Sequence, residues 1–149
     1  MSYRINLSHG LADNPDAAAI REEVFIQEQG FIGEFDDIDA RATHVVLYDG
    51  EDAVATGRLF FDETPRRQTI GRVAVRRAWR GRFLGREVLR VLEAEAQRTG
   101  AQVITLSAQV QAQGFYEKLG YTAVSGQYLD ESCPHVRMEK RLLPDEAAQ

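Results

Sequence analysis

The stretch VAVRRAWRGRFLGREVL, residues 73–89, joins a predicted strand to a predicted helix through a loop rich in arginine and glycine. The strand is predicted over Gln68–Val75, and the helix begins near Leu84 or Gly85 and continues to about Thr99. Such a loop directs successive backbone N–H groups and the positive end of the helix dipole at one point. The stretch therefore predicts an anion-binding site at the start of the helix.

The glycines and arginines of this loop suit such a site, but they also admit a simpler interpretation. Gly81 and Gly85 let the backbone approach an anion, and Arg80, Arg82 and Arg86 offer charge-assisted hydrogen bonds to phosphate oxygens. Alternatively, the arginines only solvate the surface of a helix. The stretch contains neither a Gly-Lys-Ser/Thr ending nor G-x-G-x-x-G, so it is neither of the two most common phosphate-binding loops.

The composition is that of a folded protein of one domain, residues 1–149. Its 149 residues are 44% hydrophobic and 28% charged, ordinary values for a chain that buries a core. No apolar run approaches the roughly 20 residues of a membrane helix, and the polar N-terminal segment does not read as a signal peptide. We therefore expect a cytoplasmic protein that does not bind membranes.

Charge and cysteine content argue against two classes of function. The chain has 18 basic and 23 acidic side chains, a net charge of −5 that disfavours a general nucleic-acid binder. The single cysteine, Cys133, forms no internal disulfide and suggests no metal site. The charges are unevenly distributed, because nine arginines fall within residues 66–90 and four carboxylates within residues 34–39. This pattern predicts one anion-attracting and one cation-attracting surface.

Strands and helices are mixed along the rest of the chain. The pair Asp49-Gly50 between THVVLY and AVATGRLFF predicts a tight hairpin. Helices are predicted over Asp16–Gln29 and Val110–Leu119, and further strands over Tyr3–Leu7 and residues 102–107, 121–129 and 134–142. This order favours an α+β, or mixed α/β, domain.

Two segments resemble the GNAT superfamily of N-acetyltransferases. Arg80–Gly85 resembles the family's acetyl-coenzyme A pyrophosphate loop, Arg/Gln-x-x-Gly-x-Gly/Ala, except that Phe83 replaces the usual first glycine of this pattern. AQVQAQGFYEKLGY, residues 108–121, resembles the family's Asn-x-x-Ala-x-x-Phe-Tyr-x-x-x-Gly-Phe segment, with Gln109 for the asparagine and Tyr121 for the final phenylalanine. The hairpin and the C-terminal strand also resemble this family, closest to its small ElaA-like bacterial members.

The resemblance implies a fold, a cofactor and a site. The fold is a GNAT-like three-layer one, a twisted mixed sheet of about seven strands that is splayed between strands 4 and 5, with helices on both faces. The cofactor is acetyl-coenzyme A as acyl donor, the acceptor a small-molecule or peptide amine, and a homodimer is the family-level expectation. The implied cofactor-binding residues are Val73, Ala74, Val75, Arg80, Gly81, Arg82, Phe83, Leu84, Gly85, Arg86, Gln109, Phe115 and Tyr116.

Acetyl transfer from a thioester to an amine needs an oxyanion site, a base for the amine and an acid for the thiolate. The resemblance implies that backbone N–H groups of Val73–Val75 bind the carbonyl and that Tyr116 is the acid; its alternative role is to pack the short helix. The candidate bases are Glu28, a carboxylate of the loop after it (Glu34, Asp36 or Asp37), His135 in preference to His44, or a chain of waters. The carboxylates as a set are expected to attract a cationic acceptor. Each of these groups could instead have only a structural or solvated role.

Two other functions remain open from the sequence. A non-catalytic sensor of coenzyme A thioesters would keep the loop Arg80–Gly85 without needing Tyr116. A phosphate-binding module would use the arginine cluster alone and would show no preference for a ligand with a pantetheine arm.

Overall fold

The computed structural model describes residues 3–142, which form eight strands and three α-helices. The strands are β1 (Arg4–His9), β2 (Thr43–Asp49), β3 (Asp52–Phe60), β4 (Arg67–Val75), β5 (Val103–Gln109), β6 (Thr122–Ala123), β7 (Tyr128–Asp130) and β8 (Cys133–Arg141). The helices are α1 (Pro15–Arg21), α2 (Leu84–Arg98) and α3 (Gln113–Lys118). The mixed α/β fold predicted from the sequence is confirmed. None of the helices in this part of the chain is both long and apolar enough to span a membrane.

Contacts divide the chain into two compact units. The first contains the residues up to Phe60 together with Ile70–Leu92, and the second contains Phe61–Thr69 together with the residues from Glu93 onward. In the first unit β1 and β2 are antiparallel, as are β2 and β3, and β4 neighbours β3. The hairpin predicted at Asp49-Gly50 is confirmed, because Asp49 pairs with Asp52.

Helix α1 begins where its sequence provides a cap. The side chain of Asn14 accepts a hydrogen bond of 3.1 Å from the backbone N–H of Ala17, and Pro15 occupies the first turn, where its missing N–H is not needed. The single helix predicted over Asp16–Gln29 is in fact α1 followed directly by a π-helix, Glu22–Glu28. The apolar spacing that indicated the helix does not distinguish these two windings.

Helices lie on opposite faces of the sheet in the first unit. Val46 packs in a core cluster with Ala17 and Ile20 of α1. Val45, its neighbour, points to the other face and pairs with Gly57 of β3. On that face a Cβ built on Gly57 would lie 2.7 Å from Val88 Cγ1 of α2. The expected helices on both faces are therefore present in this unit.

Glycine at position 57 lets helix α2 approach strand β3 closely. We expect Gly57→Ala to lower the free energy of unfolding by about 1–3 kcal/mol, because the new methyl group would overlap Val88 and lie 2.9 Å from Leu92 Cδ1. Urea denaturation measures the effect. Gly71→Ala is the matched control, since its Cβ would meet only Arg58 Nε, at 4.0 Å. Equal stability of the two variants would contradict this account of the packing.

Strand β5 pairs with a strand on each side in the second unit. It is parallel to β4 over Arg67–Thr69 and antiparallel to β8, which also pairs with β6 and β7. The register between β4 and β5 ends at Thr69, and Arg72, farther along β4, adopts a φ of 53°, which a regular strand does not. The predicted interruption between the fourth and fifth strands is thereby confirmed.

One predicted strand, residues 121–129, is wrong, and the sheet has eight strands rather than about seven. The segment forms β6 and β7, which are separated around Ser125 and Gly126. The hydroxyl of Ser125 accepts a hydrogen bond of 3.0 Å from the backbone N–H of Arg137 in β8. A side chain thus occupies a ladder position that a backbone carbonyl would otherwise take, which interrupts the strand.

Candidate active site

The arginine-rich loop contains two residues in the left-handed backbone region. After β4 the chain makes a short helical turn at Arg77–Trp79 and enters α2 at Leu84. Gly81 has a φ of 82° and Phe83 a φ of 62°, both in the left-handed region, whereas the φ of Arg82 between them is not positive. Left-handed residues that alternate with other conformations are typical of the concave backbone nests that bind anions.

Phe83 adopts the conformation that glycine would favour, at a strain of roughly 1–3 kcal/mol. Its side chain is 72% exposed, and the guanidinium carbon of Arg86 lies 5.0 Å from the centre of its ring. The aromatic side chain therefore points into solvent.

The predicted phosphate-binding arginines contact protein groups. Arg80 donates from Nε to the carbonyl of Val75 over 2.9 Å and from both terminal nitrogens to Glu28 over 2.7 and 2.8 Å. Arg82 lies 3.9 Å from the carboxylate of Asp49, which also accepts a hydrogen bond of 3.2 Å from the indole of Trp79. Trp79 is thus anchored on Asp49.

Glu28, a candidate base, is held as a carboxylate by this loop. Hydrogen bonding to Arg80 lowers the pKa of Glu28 to about 2; Arg77 acts in the same direction and burial opposes both. A carboxylate with so low a pKa is a weak proton acceptor near neutral pH. The predicted role as base would therefore require Arg80 to release Glu28.

The carboxylates predicted to attract a cation are largely paired with arginines. Buried Arg21 donates to Glu34 over 2.8 Å and to Asp39 over 2.7 Å. Arg58 donates to Asp36 over 2.7 Å and to Asp39 over 2.8 Å. The three carboxylates are thus balanced by arginine charges. We therefore expect only a weak field from them at an acceptor.

Arg72 adds a third arginine to this cluster. Its Nε lies 3.1 Å from the carboxylate of Glu34, and its Nη2 lies 3.4 Å from Asp36. We name the six side chains Arg21, Arg58, Arg72, Glu34, Asp36 and Asp39 the buried ion network. Sequence reasoning missed the role of Arg21, although the helical spacing from Ala17 places it on the apolar face of α1.

In the second unit, the end of β5 positions the candidate acid. Gln109, the last residue of β5, is followed by a helical turn and by α3, which carries Phe115 and Tyr116. The ring of Tyr116 packs edge-on against Phe115 at 5.0 Å and Tyr121 at 5.8 Å. Burial raises the pKa of Tyr116 to about 12. The phenol therefore remains protonated at neutral pH.

His135 of β8 pairs with Gln109, so it lies at the same end of β5. Its Nδ1 is 2.8 Å from the carbonyl oxygen of Cys133. Because a carbonyl only accepts, Nδ1 carries the proton and a neutral ring presents its lone pair at Nε2. The ring also stacks on Tyr128, whose hydroxyl hydrogen-bonds with Ser107. Sequence reasoning did not single out Tyr128 or Ser107.

The predicted site residues fall in both units. Residues 73–75, 80–86 and Glu28 belong to the first unit, and Gln109, Phe115, Tyr116 and His135 to the second. Ala74 is buried in the cluster beside α1, so its side chain packs in the core. The role of Val73–Val75 backbone N–H groups at a carbonyl stays a prediction.

Comparison with known proteins gives consistent matches. The family described as Acetyltransferase (GNAT) domain matches residues 13–142. The uncharacterized N-acetyltransferase YjcF of Bacillus subtilis is 36% identical over 128 residues, which cover 84% of this chain and 90% of that protein. A Lactobacillus plantarum crystal structure, of a protein proposed to be an N-acetyltransferase, is 33% identical with a TM-score of 0.87, covering 96% of this chain and 100% of that one. Escherichia coli ElaA is 22% identical with a TM-score of 0.84, covering 94% and 100%, and shows the fold alone.

Proposed function

The chain belongs to the GNAT acetyltransferase family and is an acyltransferase, and from this premise we propose that it moves an acetyl group from acetyl-coenzyme A to a primary amine. The acceptor attacks the thioester directly while both substrates are bound. Tyr116 is the general acid and His135 the general base. The family uses acyl-coenzyme A donors, and for this chain we propose an acetyl donor and an amine acceptor.

The backbone conformation of Gly81–Phe83 carries this proposal. Its two left-handed residues, with φ values of 82° and 62°, lie directly before helix α2, and left-handed residues of this kind occur in the backbone nests that bind anions. A loop whose arginines merely solvated a helix would not need Phe83 in a strained conformation. The strain therefore supports phosphate binding over a solvated surface.

His135 is preferred to Glu28 as the base because of their hydrogen bonds. Its Nδ1 is bonded to the carbonyl of Cys133, which leaves Nε2 as the proton-accepting nitrogen. The carboxylate of Glu28 is bound by Arg80 through two hydrogen bonds. Histidine is also the side chain that most often serves as a general base.

The reaction then needs three actions of the chain. His135 Nε2 accepts a proton from the acceptor ammonium, either directly or through water, and the free amine attacks the carbonyl carbon of the thioester. Backbone N–H groups of Val73–Val75 stabilise the negative charge on the carbonyl oxygen. As the bond from the carbonyl carbon to sulfur breaks, Tyr116 donates its proton to the departing thiolate, and the phenolate regains a proton, through water, from the nitrogen of the new amide. The products are the acetylated amine and free coenzyme A.

We expect acetyl-coenzyme A to bind the purified protein and Arg80→Ala to weaken this binding roughly tenfold, since hydrogen bonds to charged groups contribute about 1.5–3 kcal/mol. Isothermal titration calorimetry with acetyl-coenzyme A, coenzyme A and ATP measures this. Arg90→Ala is the matched control, because Arg90 lies on α2 and pairs with Glu87. Equal binding of all three ligands would favour a phosphate-binding module, and binding of none would refute the proposal.

A further inference from the structure

The carboxylate of Glu28 occupies the edge of Arg80 that suits a phosphate. The two terminal nitrogens of Arg80 donate to the two oxygens of Glu28 over 2.7 and 2.8 Å. Arg77 Nη2 lies 3.4 Å from the same carboxylate. A guanidinium binds carboxylates and phosphates through the same pair of parallel hydrogen bonds. Glu28 thus takes the place that a phosphate group would have on Arg80.

Arg80 has no second free edge for a phosphate. Its other edge contains Nε, which donates to the carbonyl of Val75 over 2.9 Å. This bond to β4 also fixes the orientation of the guanidinium toward Glu28. A phosphate that binds Arg80 through two hydrogen bonds must therefore displace the carboxylate or break the bond to β4.

We propose that Glu28 competes with the cofactor for Arg80: it holds Arg77 and Arg80 in the free protein and is displaced by a cofactor phosphate. This inference rests on the proposed function, because it takes Arg80 as a phosphate contact. Ligands that carry a phosphate displace Glu28 and gain the interaction with Arg80. Ligands with only the thioester arm leave the ion pair in place.

The exposure of the pair is compatible with displacement. The side chain of Arg80 is 40% exposed and that of Glu28 is 22% exposed. Ion pairs at such positions change an equilibrium constant by at most about fivefold. A pyrophosphate has more negative charge than one carboxylate and also accepts from the loop N–H groups. It therefore competes successfully for Arg80, with an affinity reduced a few-fold by Glu28.

The chain offers a matched control for the charge of Glu28. Glu23 lies on the same π-helix and contacts Arg76 at 3.3 Å rather than Arg80. Glu23→Gln and Glu28→Gln remove the same charge from the same helical segment. A difference between them therefore reports on the contact with Arg80 and not on net charge.

The test compares coenzyme A with pantetheine, its thiol arm without phosphates or nucleotide, by calorimetric titration. We expect Glu28→Gln to bind coenzyme A about three- to fivefold more tightly than the unaltered protein and to bind pantetheine equally. Glu23→Gln should bind both ligands like the unaltered protein. In an Arg80→Ala background, Glu28→Gln should have no further effect, because the competing contact is already absent.

Three results would overturn the inference: unchanged or weaker binding of coenzyme A by Glu28→Gln, an equal gain for pantetheine, or the same gain in Glu23→Gln. If the unaltered protein binds coenzyme A and Glu28→Gln shows no gain, the proposed function stands and only this inference fails. If neither protein binds coenzyme A, both fail. Far-UV circular dichroism checks that each variant is folded.

Discussion

Replacing Tyr116 with phenylalanine will lower kcat about 100-fold and leave the Kd of acetyl-coenzyme A within about twofold. A general acid contributes typically 10²–10⁴-fold to a rate. We expect the lower end of this range, because water can donate the proton, less effectively, when the acid is removed. Binding should persist because the loop residues 80–86 lie on other elements. Burial raises the pKa of Tyr116 to about 12, so the unaltered enzyme should keep its acid protonated throughout the neutral range.

Thiol release in single-turnover assays, together with calorimetric binding, separates the possible outcomes. Tyr121→Phe is the control, because it removes the same group, a phenol hydroxyl, from the ring that contacts Tyr116. The hydroxyl of Tyr121 donates a hydrogen bond of 2.7 Å to Glu93. Tyr121→Phe should reduce stability while kcat changes little. If Tyr116→Phe retains full activity, Tyr116 is not the acid. If neither the unaltered protein nor the variant releases thiol, although both bind the thioester, a coenzyme A sensor is favoured.

Arg21→Met will lower the free energy of unfolding by about 3–5 kcal/mol, the usual effect of removing one partner from a buried ion pair. Arg21 is 1% exposed, and it donates to both Glu34 and Asp39, which are also buried. Without it these carboxylates depend on Arg72 and Arg58 alone. Urea denaturation at neutral pH measures the loss.

Arg98→Met is the matched control. Arg98 forms an ion pair of 2.6 Å with Glu95 on α2, and its side chain is 70% exposed, so its replacement should leave the stability nearly unchanged. Equal stabilities of the two variants would show that the buried ion network does not stabilise the fold.

Acid denaturation measures the contribution of Asp39 within the buried ion network. Burial opposes ionisation of Asp39, but hydrogen bonds from Arg21 and from the backbone of Asp36 lower its pKa to about 2. The ordinary pKa of an aspartate is about 3.9, so the folded state binds protons less readily than the unfolded state. This contribution to stability is therefore complete above about pH 4 and is lost as the pH falls toward 2. In Arg21→Met the loss should begin at a higher pH, because the pKa of Asp39 rises.

Much of the fold followed from local patterns. The Asp49-Gly50 turn predicted the hairpin because a tight turn needs the positive φ that Gly50, at 62°, adopts. The strand-loop-helix around Arg80–Gly85 was also predicted, since glycines and helix signals act within a few residues of one another. The π-helix at Glu22–Glu28 was missed, because apolar spacing over two turns does not resolve its winding.

The site was predicted less completely, and the reason is the same for each missed feature. The stack of His135 on Tyr128 and the contact of Tyr128 with Ser107 join residues from three strands. The pairing of Glu28 with Arg80 joins positions 52 residues apart. These contacts join residues that are far apart in the chain. They could not be predicted from local patterns, because such patterns report only on residues a few positions apart.

The sequence by itself determined the family, the mixed fold, the strand-loop-helix around Arg80–Gly85 and the tyrosine on the short helix, because each depends on residues close together in the chain. Only the tertiary structure decided how the charges are used. It pairs Glu28 with Arg80 and balances the loop carboxylates with Arg21, Arg58 and Arg72. A carboxylate attracts a substrate, stabilises a fold or accepts a proton according to the charges within a few ångströms of it, and folding alone brings those charges together.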